Sequence, residues 1–283
     1  MPPVLACTLP ARWLEQSSQW ACVPRRLGLE NVQLLVGWGG GVASWDRAFS
    51  CMQLLQQQGL RPVSLWLKPD EGVPPLTPGE LARLLELLRQ QVRWLVLPAG
   101  VLPGWEQVEQ EAAAPAWSGP AQAALDRLEE LFCSQKVEVL LDVAHPLTEN
   151  PKATAGVLAR WNNPKVRLWL DLGAQALRFP YSQVEVALQR WFGQLGGVGL
   201  RDAVPEMPLA WTPSPGQGGE IDFARCWQIL SAGGFQGLAS VIQGRRRGWR
   251  RELTPQQWEA ELREGLEHLR HCGWPVDVLS CGS

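Results

Sequence analysis

One pattern constrains this chain more than any other: short apolar runs rich in Val, Leu and Trp recur about every thirty residues, and each is followed by a stretch with helical spacing. Eight such runs can be counted, at Val4 to Thr8, Val32 to Gly37, Pro62 to Leu67, Arg93 to Pro98, Val137 to Val143, Val166 to Leu172, Gly197 to Arg201 and Gly237 to Gln243. Runs this apolar suit strands buried on both faces, as in a parallel sheet whose crossovers are helices. The intervening helices carry their own punctuation. Thr77-Pro78-Gly79-Glu80 and Thr254-Pro255-Gln256-Gln257 each place a capping hydroxyl, a first-turn Pro and a Glu or Gln three residues on. Gly28, Gly59 and Gly233-Gly234 fall where helices must end and the chain turns back.

Eight strand–helix units in 283 residues fit one (β/α)₈ barrel, a unit of about 250 residues, and no linker splits the chain, so residues 1–283 are expected to form a single domain. A doubly wound open sheet has less support, because no G-x-G-x-x-G follows any strand. With 46% apolar and 19% charged residues, the chain has ample material for a buried core. A net charge of −2 excludes the general basic excess that nucleic acid or an anionic membrane would attract. Met1 to Pro10 lacks the pattern of a signal peptide and no run of eighteen apolar residues occurs, so a cytoplasmic protein is expected. Seven scattered cysteines without a C-x-x-C pair read as reduced thiols, most of them in the core.

In a barrel of this kind, sites are built on the loops that follow strand C-termini. Two such connections are long, Ala99 to Gly119 and Ala203 to Glu220. The cations expected on that face are Lys68, Arg178, Arg201 and the run Arg245, Arg246 and Arg247. Guanidinium forks grip carboxylates or phosphates, so these residues point to an anionic ligand. A solvated run before the last helix accounts for Arg250 and Arg251, and both readings stand for Arg245 and Arg246. Trp38 and Trp211 lie in Gly- or Pro-rich surroundings and are candidate stacking surfaces for a ligand. His268 and His271, one turn apart on the last helix, are expected to point away from this face.

The last third carries the most specific motifs. Val198-Gly199-Leu200-Arg201-Asp202, Gly216-Gln217-Gly218-Gly219-Glu220-Ile221-Asp222-Phe223 and Gly233-Gly234-Phe235-Gln236-Gly237 occur in that order. Upstream stand Leu168-Trp169-Leu170-Asp171-Leu172-Gly173 and the approach to the second strand, Leu27-Gly28-Leu29-Glu30-Asn31-Val32-Gln33-Leu34. Together these resemble the xylose isomerase-like barrels, the superfamily of sugar and sugar-phosphate isomerases and epimerases, over most of the chain. The resemblance implies a divalent metal held at four strand ends, which fall here at Asp142, Asp171, Gly199 and Ile242, with Gln243 next in line. Only Asp171 keeps the family's residue, and Asp142 keeps a carboxylate. Two carboxylates alone hold Mg²⁺ or Mn²⁺ weakly, so a degenerate metal site is expected, with His145 as a candidate replacement ligand.

Three functions follow from the resemblance. The first is an isomerase or epimerase in which Asp142 or Asp171 moves the proton and arginines stabilise negative charge. The second is a barrel without catalysis that binds a small carbohydrate or anionic ligand, or a partner protein. The third, an abasic-site endonuclease, lacks both the histidine cluster and the basic face that such a site needs. Strand alternation puts Arg201 on the same side of its strand as Gly199, so its guanidinium is expected to enter the space left by the glycine and neutralise the carboxylates. Oligomeric state is not readable from the sequence.

Overall fold

The computed structural model describes residues 2–39, 42–70, 72–89, 91–114, 116–143, 151–178, 182–204, 212–243 and 253–276. Eight strands, β1 (Val4–Pro10), β2 (Asn31–Trp38), β3 (Arg61–Pro69), β4 (Trp94–Pro98), β5 (Glu138–Asp142), β6 (Val166–Asp171), β7 (Leu195–Leu200) and β8 (Leu238–Val241), close in sequence order into one barrel. Every pairing is parallel, including the closing pair of β1 and β8. All eight runs read from the sequence are strands, and a (β/α)₈ barrel is the fold.

Helices occupy every crossover: α1 (Ala11–Gln16), α2 (Gln19–Arg26), α3 (Val42–Gln57), α4 (Pro78–Leu88), α5 (Trp105–Gln110), α6 (Gly119–Cys133), α7 (Pro151–Trp161), α8 (Leu172–Arg178), α9 (Ser182–Trp191) and α10 (Phe223–Ala232). A last helix, α11 (Pro255–His271), follows β8. The two expected capping boxes form. Thr77 and Glu80 cap α4 reciprocally, and Thr254 and Gln257 do the same for α11. Gly28, Gly59 and Gly234 have φ of 74°, 75° and 73°, the left-handed backbone that ends a helix cheaply only when no Cβ is present.

Alternation along the strands separates two apolar layers. Leu9, Leu34, Leu65, Leu95, Leu141, Leu170, Val198 and Val241 face the helices. Ala6, Trp66, Trp94, Val96, Leu140, Trp169, Leu238 and Ile242 form a separate cluster, drawn from six strands and the residue just after β8, which fills the barrel interior. The barrel is therefore a packed core rather than a pore. Of the described cysteines, Cys7, Cys51 and Cys226 are buried and none forms a disulfide. Burial pushes the Cys7 and Cys226 thiols up to about 12, which keeps them un-ionised and unreactive. Among the described residues no helix is long and apolar enough to cross a membrane.

Candidate functional site

Asp171 ends β6 with its carboxylate on the inward parity of Trp169, at the mouth of the barrel. It is 1% exposed. Its Oδ1 accepts the backbone N–H of Ala174 at 3.0 Å, so Asp171 caps the first turn of α8. The same oxygen accepts Arg201 Nε at 2.9 Å, and Oδ2 lies 2.6 Å from Arg201 Nη2. This is the two-point, fork-to-fork pairing of guanidinium and carboxylate. Gly173 makes it possible. A Cβ there would lie 2.8 Å from Arg201 Cγ and 2.6 Å from the carbonyl oxygen of Asp202, so only glycine lets α8 start this close to the end of β7.

Arg201 is held from its other side as well. Nη1 donates to Thr212 Oγ1 at 3.1 Å, and the side chain is 21% exposed. A guanidinium has five N–H donors; with Nε, Nη1 and Nη2 each committing one, two have no partner among the described residues. Thr212 is brought there by a clasp at the end of β7. Asp202, 2% exposed, accepts the backbone N–H groups of Ala203 at 2.9 Å and Ile221 at 3.0 Å. Its own N–H donates to Pro213 O at 2.8 Å. Burial raises the Asp202 carboxyl above the usual range, with the three N–H groups of Ile221, Ala203 and Gly216 pulling the other way. Gly219 packs directly on this carboxylate, where a Cβ would overlap it.

The space beside Gly199 is not filled as the sequence suggested. A Cβ on Gly199 would lie 2.5 Å from Ile242 Cδ1 and 3.0 Å from Trp169 Cζ2, so an apolar side chain and an indole occupy that position. Arg201 reaches Asp171 from above the glycine. Asp142 ends β5 at 2% exposure, pairs in register with Trp169, and has an interaction partner of its own. Lys68 shares the inward parity of Trp66 on β3, is exposed, and is likewise engaged.

Trp38 departs from expectation. It shares the outward parity of Leu34 and Val36, is 2% exposed, and stacks on Trp45 of α3 with ring centroids 5.6 Å apart. Its faces are taken up by packing between barrel and helix rather than presented to a ligand. His268 differs too: it packs edge-on to Phe223 and against Gly216 of the segment after β7, which places it under the site's supporting loop. His145, Trp211, Arg245 and Arg246 lie outside the described residues, as does the side chain of Arg178. Among the described residues, no group of three His, Cys, Asp or Glu side chains is arranged to hold a metal ion. Thr212 and Asp202 were not singled out from the sequence. The signal for Asp202 was present, since a carboxylate ending an apolar strand and followed by a Gly-rich return is a natural acceptor for loop N–H groups.

Solved structures match this backbone over nearly its whole length. A putative xylose isomerase from Rhodospirillum rubrum gives a TM-score of 0.65 at 17% identity, covering 95% of this chain and 99% of that one. The chain has the fold of the xylose isomerase-like barrels. D-psicose 3-epimerase from Clostridium cellulolyticum H10 matches at TM-score 0.62 and 11% identity, over 95% of this chain and 98% of its own. An L-ribulose 3-epimerase matches at TM-score 0.59 and 15% identity, over the full length of both chains. No family model matches the sequence, and no curated protein sequence does. Identities this low leave the xylose isomerase-like fold as what is shared, and chemistry has to be argued from the site.

Proposed function

We propose that this protein is a xylose isomerase-like barrel that binds a small polar or anionic ligand, carbohydrates included, at its C-terminal mouth, with a guanidinium–carboxylate pair where related barrels hold a metal. The observation that carries this reading is the double contact of Arg201 with Asp171. Both carboxylate oxygens are committed to a cation that is part of the chain. A divalent ion needs several oxygen or nitrogen donors, and the set here does not fit one: Asp171 is paired, Gly199 has no side chain, and Ile242 and Trp169 fill the position beside it.

The same pairing argues against Asp171 as a proton-transfer base, because a base needs a lone pair free to meet the substrate. Binding, rather than metal-assisted isomerisation, is therefore the reading favoured for this mouth. Arg201 supplies its two remaining N–H donors to a ligand oxygen, and Thr212 fixes their direction. The test is calorimetric titration of dialysed protein with sulfate and with D-tagatose, in parent and Arg201→Ala, beside metal analysis and an epimerase assay with Mn²⁺. The expected result is saturable binding of at least one of the two, lost in the variant. Stoichiometric Mn²⁺ surviving dialysis, together with turnover of D-tagatose or D-psicose, would overturn the reading.

A further inference from the structure

Two indole N–H groups inside the barrel have no acceptor among the described residues. They belong to Trp169, 0% exposed, and Trp66, 6% exposed, whose rings are tilted against each other with centroids 5.7 Å apart. Buried donors are nearly always paired, so each exception asks for an explanation. Trp13, Trp38, Trp105 and Trp117 also keep unpaired indole nitrogens, but they sit in or against the layer between strands and helices. Among the described residues, only Trp66 and Trp169 do so within the barrel, beneath the mouth.

The orientation of Trp169 follows from the two glycines that it covers. A Cβ on Gly197 would meet Cε3 at 2.6 Å and Cζ3 at 2.9 Å, while one on Gly199 would meet Cζ2 at 3.0 Å. Gly199 is nearer the C-terminal end of β7 than Gly197, so the Cζ2 side of the ring is the side toward the mouth. The pyrrole nitrogen is attached next to Cζ2, across the ring system from Cζ3. Nε1 of Trp169 therefore faces upward, toward the layer that holds Asp142, Asp171 and Arg201. Beside it Ile242 contributes only carbon.

We infer that this is an acceptor subsite: a ligand at the mouth seats a carbonyl or carboxylate oxygen on the Trp169 indole N–H. An indole N–H donates and never accepts. A hydroxyl pushed to this depth would have to place its own hydrogen, and Trp66, Trp169 and Ile242 have no lone pair to offer while the carboxylates of Asp171 and Asp142 above them are already engaged by partners of their own, whereas an oxo oxygen carries no hydrogen to place. The remaining N–H donors of Arg201 lie above and take the outer part of the same group. This inference rests on the reading of the mouth as the ligand site.

The test uses full-length protein labelled with ¹⁵N at tryptophan, and the Trp169 indole resonance is identified by its absence in Trp169→Phe. Acetate, acetamide and glycerol are the probes, standing for a charged oxo group, a neutral one and hydroxyls alone. A saturable downfield shift of the Trp169 N–H with acetate or acetamide and not with glycerol is expected, and which of the two acts tells the charge of the ligand group. Binding should weaken at least tenfold in Trp169→Phe. If that variant does not fold, benzothienylalanine at position 169 keeps the shape and removes the donor. A glycerol response equal to the others, or a Trp169 resonance that stays still while Arg201→Ala abolishes binding, overturns the subsite and leaves the mouth reading intact. No response to any probe in any protein overturns both.

Discussion

The two sides of the barrel interior solve the same packing problem with opposite chemistry. On the side formed by β8, β1, β2 and β3, a chain of hydrogen bonds crosses at mid-height. Thr8 Oγ1 donates to Gln33 Oε1 at 2.9 Å, so its 2.8 Å contact with Ser240 must be donated by the serine. Gln33 Nε2 passes the chain on to Ser64 Oγ at 3.2 Å. All four residues are 3% exposed or less. On the side formed by β4 to β7, Trp94, Val96, Leu140 and Trp169 fill the space, and Gly197 and Gly199 make room for the Trp169 ring. The hydrogen-bond chain on the polar side satisfies its own groups and needs no charge. The apolar side is filled by volume alone, and it is the one capped by the Asp171–Arg201 pair. A site that holds charges in place thus stands on a layer of aliphatic and indole side chains.

The comparison can be broken most strongly at that cap. Arg201→Ala leaves Asp171 buried without its cation, and a loss of about 3 kcal/mol is expected in chemical denaturation at neutral pH. A loss under 0.5 kcal/mol would mean that the pair contributes nothing. Next comes the volume-filled side. Gly197→Ala would bring a Cβ within 2.6 Å of the Trp169 ring and 2.9 Å of Leu140, and overpacking of this kind costs roughly 2 kcal/mol. The polar side should respond less: Thr8→Val keeps the shape but strands the Gln33 carbonyl and the Ser240 hydroxyl, for a cost of about 1.5 kcal/mol. Double-mutant analysis sharpens this, because Ser240→Ala added to Thr8→Val should cost much less than Ser240→Ala alone. Smallest is the control at Gly37, on β2, where a Cβ meets nothing within 4 Å. Gly37→Ala should shift stability by less than about 0.5 kcal/mol in the same assay.

The fold was legible because its signal is repeated. Each of eight apolar runs became a strand with ends within two residues of those expected, since strand identity depends on local composition and on the helix that follows. Part of the site was legible: the motif resemblance pointed to Asp171, and alternation put Arg201 on the same side of its strand as Gly199. The occupant of the Gly199 position was not, because it depends on how a ring from β6 lies across β7. The β6–β7 register also shifts between Leu168 and Trp169, an irregularity that no one-strand pattern reports. Trp38 was misjudged against a signal that was present: it continues the series Val32, Leu34, Val36, and that parity runs toward α3. The interior hydrogen-bond chain was readable too, as polar residues on the inward parity of otherwise apolar strands.

The fit of Trp169 and Ile242 against Gly199 also sets the order in which this sequence can change. A side chain at position 199 collides with both neighbours while they keep their present size, so that substitution alone is penalised. Shrinking Trp169 or Ile242 first opens a cavity in the core, which is penalised as well. Every single step away from the present arrangement runs uphill, and only a coordinated change of all three positions avoids the loss. The glycine is thus entrenched by what has packed against it, and a donor at this strand end is separated from the present sequence by a fitness valley rather than by one mutation.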